Sequence, residues 1–260
     1  MMRAKRFAFV FLFAAALSAR SLAADIAPFD LYKAGRYEDA IKAGEAANTG
    51  QGLAVAARAA FAEANLSEMP CMPCLQRVES YARRSIALDA GHPDAFVYLA
   101  AALGYQARIV GSITAQFRHY PEDAKEALEH ALAVAPNDDW ALAALGAWHI
   151  EVVRNGGALL ARTLYGARVD TGKEYFYKAF AAEPNNLVIR FQFALSLSGY
   201  DFDANSGPAA AALESVRAIE PRTTYEGVIK ERAQRLLDLL KANKRTEYLA
   251  LVNRYQGYPS

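Results

Sequence analysis

The sequence is short of the residues that chemistry usually needs. Histidine occurs four times in 260 residues, at His92, His119, His130 and His149, and none of the four belongs to an HExxH pattern. A GxSxG elbow and a phosphate-cradling GxxxxGK[ST] loop are absent as well. Catalysis requires groups that converge, and no such set can be read from the order of residues. A binding protein is therefore expected rather than an enzyme, with no cofactor and no metal.

Charge of one sign is also lacking. The chain carries 29 basic and 28 acidic residues, a formal net charge of +1. Without Arg3, Lys5, Arg6 and Arg20 of the first segment, 25 basic residues face 28 acidic ones, a balance of −3. A nucleic-acid binder would need a basic face, so that partner class is not expected. Long apolar runs are missing beyond the start of the chain. No later segment reaches 18 uncharged apolar residues, so no membrane span is expected there.

The start itself is different. Arg3, Lys5 and Arg6 precede an apolar run of 11 residues, Phe7–Leu17, too short to cross a bilayer, and small residues follow at Ser21, Ala23 and Ala24. That is the pattern of a cleavable secretory leader, residues 1–24, and it implies a periplasmic or secreted protein. No cysteine stands near the cleavage site, which argues against lipid attachment.

Only two cysteines are present, Cys71 and Cys74, in the stretch MPCMPC just before a helical pattern that starts near Leu75. An even count in an exported chain favours a disulfide that pins a connector between helices. A redox-active pair is the sharper alternative, since a helix start lowers a thiol pKa. The strand–helix–strand setting of thioredoxin-like proteins is missing. A zinc site would need two further ligands that nothing nearby supplies. Leu75 after Cys74 removes the CxxCH signature of haem attachment.

What the chain has in abundance is helix-forming residues with apolar positions three and four apart. Trios at +4 and +7 put three side chains on one helical face. They recur as Ala40, Gly44, Ala47; Val78, Ala82, Ser85; Ala124, Leu128, Ala131; Gly172, Phe176, Ala179; and Ala209, Leu213, Val216. Preceding helices carry Phe96, Leu99, Ala100, Leu103, then Leu142, Leu145, Gly146, His149, and more loosely Arg190, Phe193, Ala194, Leu197. His149 thus reads as a buried packing residue and His130 as a surface one. The acidic pairs Glu122-Asp123 and Asp138-Asp139 fall at helix starts, where they favour the dipole and offer caps.

These positions resemble the tetratricopeptide repeat, a helix–turn–helix unit of about 34 residues. The resemblance implies an all-α solenoid of helical hairpins, about five units, residues 25–246. Tyr225–Asn243 is expected as a terminal capping helix, since end units need one, and residues 247–260 as a last short helix and tail, frayed from Gly257 on. The stops at Ala90, Pro136, Pro184 and Pro221 are 46, 48 and 37 residues apart, longer than the family period. The excess lies inside two units, Ala107–Arg118 and Val153–Gly166. A narrower resemblance lies in LGAWHIEVVRNGGALLARTLYG, Leu145–Gly166, which is similar to the long-helix repeat of the regulator-of-microtubule-dynamics family. It implies architecture and no partner.

Both inserts mix apolar residues with arginine, and interface centres are enriched in aromatics and arginine; each insert is also expected to extend its helices and bury its apolar residues on the neighbouring insert, which would leave the arginines outside. Tyr105 and Trp148 stand near the ends of equivalent helices. The expected contact surface is Tyr105, Arg108, Trp148, Glu151, Arg154 and Arg162, facing a protein or peptide partner, as in a non-catalytic interaction or assembly scaffold. Two rival readings are a carrier that holds a small apolar ligand or peptide between the inserts, and a thiol-redox accessory using the cysteine pair.

Overall fold

The computed structural model describes residues 27–68 and 71–259, and the proposed leader lies outside them. Among the described residues every regular element is helical. In order these are α1 (Pro28–Lys33), α2 (Tyr37–Ala47), α3 (Gly50–Leu66), α4 (Met72–Leu88), α5 (Pro93–Val110), α6 (Ser112–Phe117), α7 (Tyr120–Val134) and α8 (Asp139–Gly156). A single turn, α9 (Ala158–Leu160), runs into a π-helical turn, Ala161–Tyr165. Then follow α10 (Val169–Ala182), α11 (Leu187–Tyr200), α12 (Phe202–Ala218), α13 (Thr224–Lys241) and α14 (Arg245–Tyr255).

Local chemistry sets the helix starts. Asp138 accepts from the Ala141 amide at 2.7 Å, Asn186 from Val188 and Ile189, Asp201 from Ala204, and Thr49 from Gly52. Each cap satisfies donors that the first helical turn leaves free. Prolines open α1 and α5, where a missing N–H costs nothing.

The helices pair as hairpins, α3 with α4, α5 with α7, α8 with α10 and α11 with α12, and successive hairpins stack into a solenoid. The +4, +7 trios are its seams: Val78, Ala82, Ala124, Leu128, Ala131, Phe176, Ala179, Leu213 and Val216 are all buried. Ala47 departs from the pattern and is exposed, at the end of α2. The tightest seam joins α8 and α10. A methyl group on Gly146 would stand 2.8 Å from the Gly172 carbonyl, and one on Gly172 would stand 2.7 Å from the Gly146 carbonyl. Only glycine at both positions lets the two backbones meet.

Both inserts break from their helices in the same way. Gly111 (φ +80°, ψ 160°) ends α5 and Gly157 (φ +75°, ψ 153°) ends α8, a region open in practice to glycine alone. Short helical turns follow, so the extra residues form two projecting corners rather than longer helices.

The end of the array differs from a simple cap. Helix α13 packs on α12 and α11, and it also reaches the other end of the chain. Arg232, 2% exposed, donates to Asn65 Oδ1 at 2.9 Å and to the Asn65 carbonyl at 3.1 Å, and pairs with Glu68 at 3.3 Å. Tyr225 donates to Asn65 Oδ1 at 3.1 Å. Those bonds tie α13 to the end of α3, so the solenoid closes on itself. The expectation of a frayed end fails at Gly257 and Tyr258. Tyr258 donates to Glu151 Oε2 at 2.7 Å, and Gly257 packs against the Tyr105 ring.

Candidate functional site: a cavity on the concave side

Closure of the array leaves a concave cavity of about 650 Å³ that is partly open to solvent. Its walls come from the inward faces of α1, α3, α5, α8, α11 and α13, and the two inserts flank it through Ile113, Gln116, Leu160 and Tyr165. Room exists because one face of α5 and of α8 carries little bulk: Ala100, Ala101, Gly104, Ala143, Ala144 and Ala147 all line the space. Aromatic rings, among them Phe61, Trp140, Trp148, Phe191 and Tyr225, share the remaining lining with aliphatic side chains such as Val97, Leu128, Ile189 and Leu195.

Polar groups cluster at two places. At one, the Arg58 guanidinium lies within 5.2–5.9 Å of the Phe29, Tyr32, Tyr98 and Trp140 rings and donates to Asp94 at 3.0 Å. Burial, partly offset by Arg58, pushes the Tyr98 hydroxyl up to about 12, so it remains a neutral donor. The Asp94 partner neutralises Arg58, and the apolar space next to it faces no unpaired charge.

At the other, the chain's own tail is bound. Arg108 donates to the Gln256 carbonyl at 3.0 Å, and Arg154 donates to Gln256 Oε1 at 2.7 Å and Asn253 Oδ1 at 2.6 Å. Glu151, itself buried, accepts from Gln256 Nε2 and from the Tyr258 hydroxyl, each at 2.7 Å. The Arg108 and Arg154 guanidinium groups lie 4.5 Å from the Tyr105 ring centre and 4.3 Å from that of Tyr258. Tyr105 accepts from Asn65 Nδ2 at 3.0 Å.

The structure thus gathers Tyr105, Arg108, Glu151 and Arg154 into one network whose counterpart is the C-terminal segment. Trp148 lines the same cavity and donates to the Pro121 carbonyl at 2.8 Å. Arg162 stands apart, exposed on the π turn. Of the four, Tyr105, Arg108 and Glu151 also line the cavity, whereas Arg154 does not and is held by Gln256 and Asn253 of the tail. Arg58, Asn65, Gln256 and Tyr258 escaped the reading of the sequence. They belong to no periodic pattern, and their bonds span up to 167 residues of chain.

The other sequence candidates sit apart from the cavity's polar groups. Cys71 and Cys74 are joined by a disulfide, with Cα atoms 5.2 Å apart, at the start of α4. His149 is buried, its ring stacked on Tyr175 at 5.7 Å, its Nδ1 accepting from the Arg168 amide at 3.3 Å. His130 is exposed and stacks on Phe96. Among the described residues no cluster of three or more potential metal ligands occurs, and no helix is long and apolar enough to cross a membrane.

A closed solenoid of helical hairpins around an apolar concave space defines an interaction-type helical protein. Residues 34–241 match the family model of regulator of microtubule dynamics protein 1-3, and the chain belongs to that family. The match ends at the last residue of α13, so α14 and the tail lie beyond it. No curated protein matches the chain.

Proposed function

We propose that the protein is an exported, non-catalytic binding module that carries a small apolar ligand or an apolar peptide segment in its concave cavity. The observation that carries this reading is the cavity itself. Its 650 Å³ lies within the usual range of small-molecule sites, about 300–1,000 Å³. It is roughly four times the size of an engineered apolar cavity that takes up benzene. Over its mostly apolar lining, water is poorly held and an apolar ligand would displace it at little cost. Export rests on the basic-then-apolar leader, residues 1–24. The tetratricopeptide-like spacing supports the same reading, since first helices of such hairpins line the concave face.

A scaffold for a protein partner is the second reading, and one observation favours it. The concave face already holds a peptide, the chain's own Asn253–Tyr258, through side-chain and main-chain bonds. The family name points to microtubules, but the exported reading offers none, so no microtubule role is proposed for this chain.

The test uses Gly104. A side chain built there meets nothing within 4 Å, so Gly104→Leu projects into open space on an α-helix that would otherwise favour the change. Protein purified from its source is expected to carry a co-purifying mass in native mass spectrometry, and Gly104→Leu to lose it with its melting temperature intact. Wild-type protein that is ligand-free from its source, or a variant that keeps the mass, refutes the carrier reading.

A further inference from the structure

The two inserts end in apolar side chains that the fold leaves uncovered. Ile113 is 73% exposed, Phe117 82% and Leu159 82%, with Leu164 at 51%. Single exposed apolar residues are ordinary, but paired corners of this kind are not. Each corner follows a glycine hinge of the same backbone geometry, at Gly111 and Gly157. Both corners flank the same cavity, through Ile113 and Leu160.

Charge around them is one-sided. Residues 107–119 and 152–169 contain five arginines and no aspartate or glutamate. Arg108 and Arg154 are committed to Glu151 and the tail. Arg118, Arg162 and Arg168 are exposed, and among the described residues none of the three forms an ion pair. Acidic residues resume only in the first turns of α7 and α10, at Glu122 and Asp170. Without those five arginines the chain has 24 basic residues against 28 acidic ones, a balance of −4, so this edge is a basic spot on an otherwise acidic chain.

We infer that the two insert corners dock the protein on an anionic lipid bilayer, with Phe117, Ile113, Leu159 and Leu164 entering the interface and Arg118, Arg162 and Arg168 meeting the headgroups. Apolar tips beside unpaired cations are the combination that such surfaces bind, and both signals are needed for stable attachment. A protein partner would need two acidic-rimmed pits at the spacing of the corners. A bilayer accepts protruding side chains at any spacing, and therefore fits two separate tips better than one flat patch would. This inference stands without the carrier reading. If both hold, docking sets the cavity mouth against hydrocarbon and spares an apolar ligand the passage through water.

The test places an environment-sensitive fluorophore on F117C or L159C in otherwise intact protein, the native cysteines being joined to each other. Vesicles of phosphatidylcholine mixed with phosphatidylglycerol are expected to shift the emission of both labels to the blue, and vesicles of phosphatidylcholine alone to leave it unchanged. A label at Y177C, exposed on α10 away from the corners, is expected to stay silent. Each arginine near an anionic surface is worth about 1 kcal/mol, so R118E with R162E is expected to weaken vesicle affinity by at least roughly 25-fold. Unshifted labels at both corners, as a protein-only docking site would give, overturn the proposal. So does a shift equal to that at Y177C, or one insensitive to vesicle charge. Since the labels report on the corners alone, that outcome leaves the test of the cavity at Gly104 unaffected.

Discussion

Arg232 is the side chain on which closure of the solenoid depends, and its removal should cost far more than loss of any surface charge. The guanidinium is 2% exposed and donates to Asn65 Oδ1, the Asn65 carbonyl and, at 3.4 Å, the Leu66 carbonyl. Those carbonyls end α3, and beyond the cap residue's amide the Asn65 carbonyl otherwise receives only a long bond from the Glu68 amide, at 3.4 Å. Glu68 supplies the opposite charge and the Tyr255 ring lies 4.7 Å from the guanidinium carbon. Arg232→Met keeps much of the volume but removes the donors. Charge-assisted bonds contribute about 1.5–3 kcal/mol each. Partial rehydration of Asn65 and Glu68 returns some of that, so the net loss is set at about 3–5 kcal/mol, as for other broken buried pairs. In urea this corresponds to a fall in midpoint of roughly 1–2 M. Arg232→Lys should fall between, because one ammonium cannot hold the planar fork that Asn65 accepts. Arg217→Met is the control: its pair with Glu214 is half exposed and worth at most about 1 kcal/mol. Amide exchange should also quicken in α14 of the Arg232→Met variant. A loss no larger than that of Arg217→Met would refute the claim that this contact closes the array.

Two further outcomes follow from buried groups. Burial and, to a lesser degree, Lys125 lower the His149 pKa from 6.5 to about 4, so the folded protein refuses a proton that the unfolded chain takes. Above pH 6.5 both states are neutral there and stability is whole. It declines as pH falls from 6.5 toward 4, by up to roughly 3 kcal/mol from this group. Urea unfolding of wild type and His149→Phe at several pH values should show the difference confined to that window, and parallel curves would refute it. Reduction of the Cys71–Cys74 bond opens a ring of sequence separation 3, too small to constrain the unfolded chain much. The expected loss is at most about 2 kcal/mol, with no activity in an insulin-reduction assay. Turnover of insulin disulfides would favour the redox reading instead.

The parts of this fold that sequence could reveal are those that repeat. Side chains that fit the seam, in α7 and α10 small at the first and +7 positions of the trio with a larger one between, recur where hairpins stack, because each seam faces the same steric demand. Ala124, Leu128 and Ala131 on α7 and Gly172, Phe176 and Ala179 on α10 answer it alike, and all are buried. The inserts were legible for the complementary reason, as stretches that broke the period. The cavity was hidden by the same logic that disclosed the seams. Alanine at 101, 144 and 147 looks like packing, and only the curvature of the closed array turns that face toward empty space. Closure itself is a single event with no internal repeat. Asn65 receives Tyr225 and Arg232 across 160 and 167 residues, and Arg108 meets Gln256 across 148. A local pattern cannot encode contacts of that reach.

The tail therefore has to be weighed differently from the rest of the chain. It lies outside residues 34–241, where the family model matches, yet it satisfies three charged side chains that the matched region presents. Arg108, Glu151 and Arg154 carry charges on a buried face, and burying them without Gln256 and Tyr258 would leave donors and acceptors unpaired at about 1–3 kcal/mol each. The concave face thus holds the chain's own C-terminal segment beside a largely apolar cavity that is not filled by protein. The two readings of function differ in which of these neighbouring spaces the natural ligand enters.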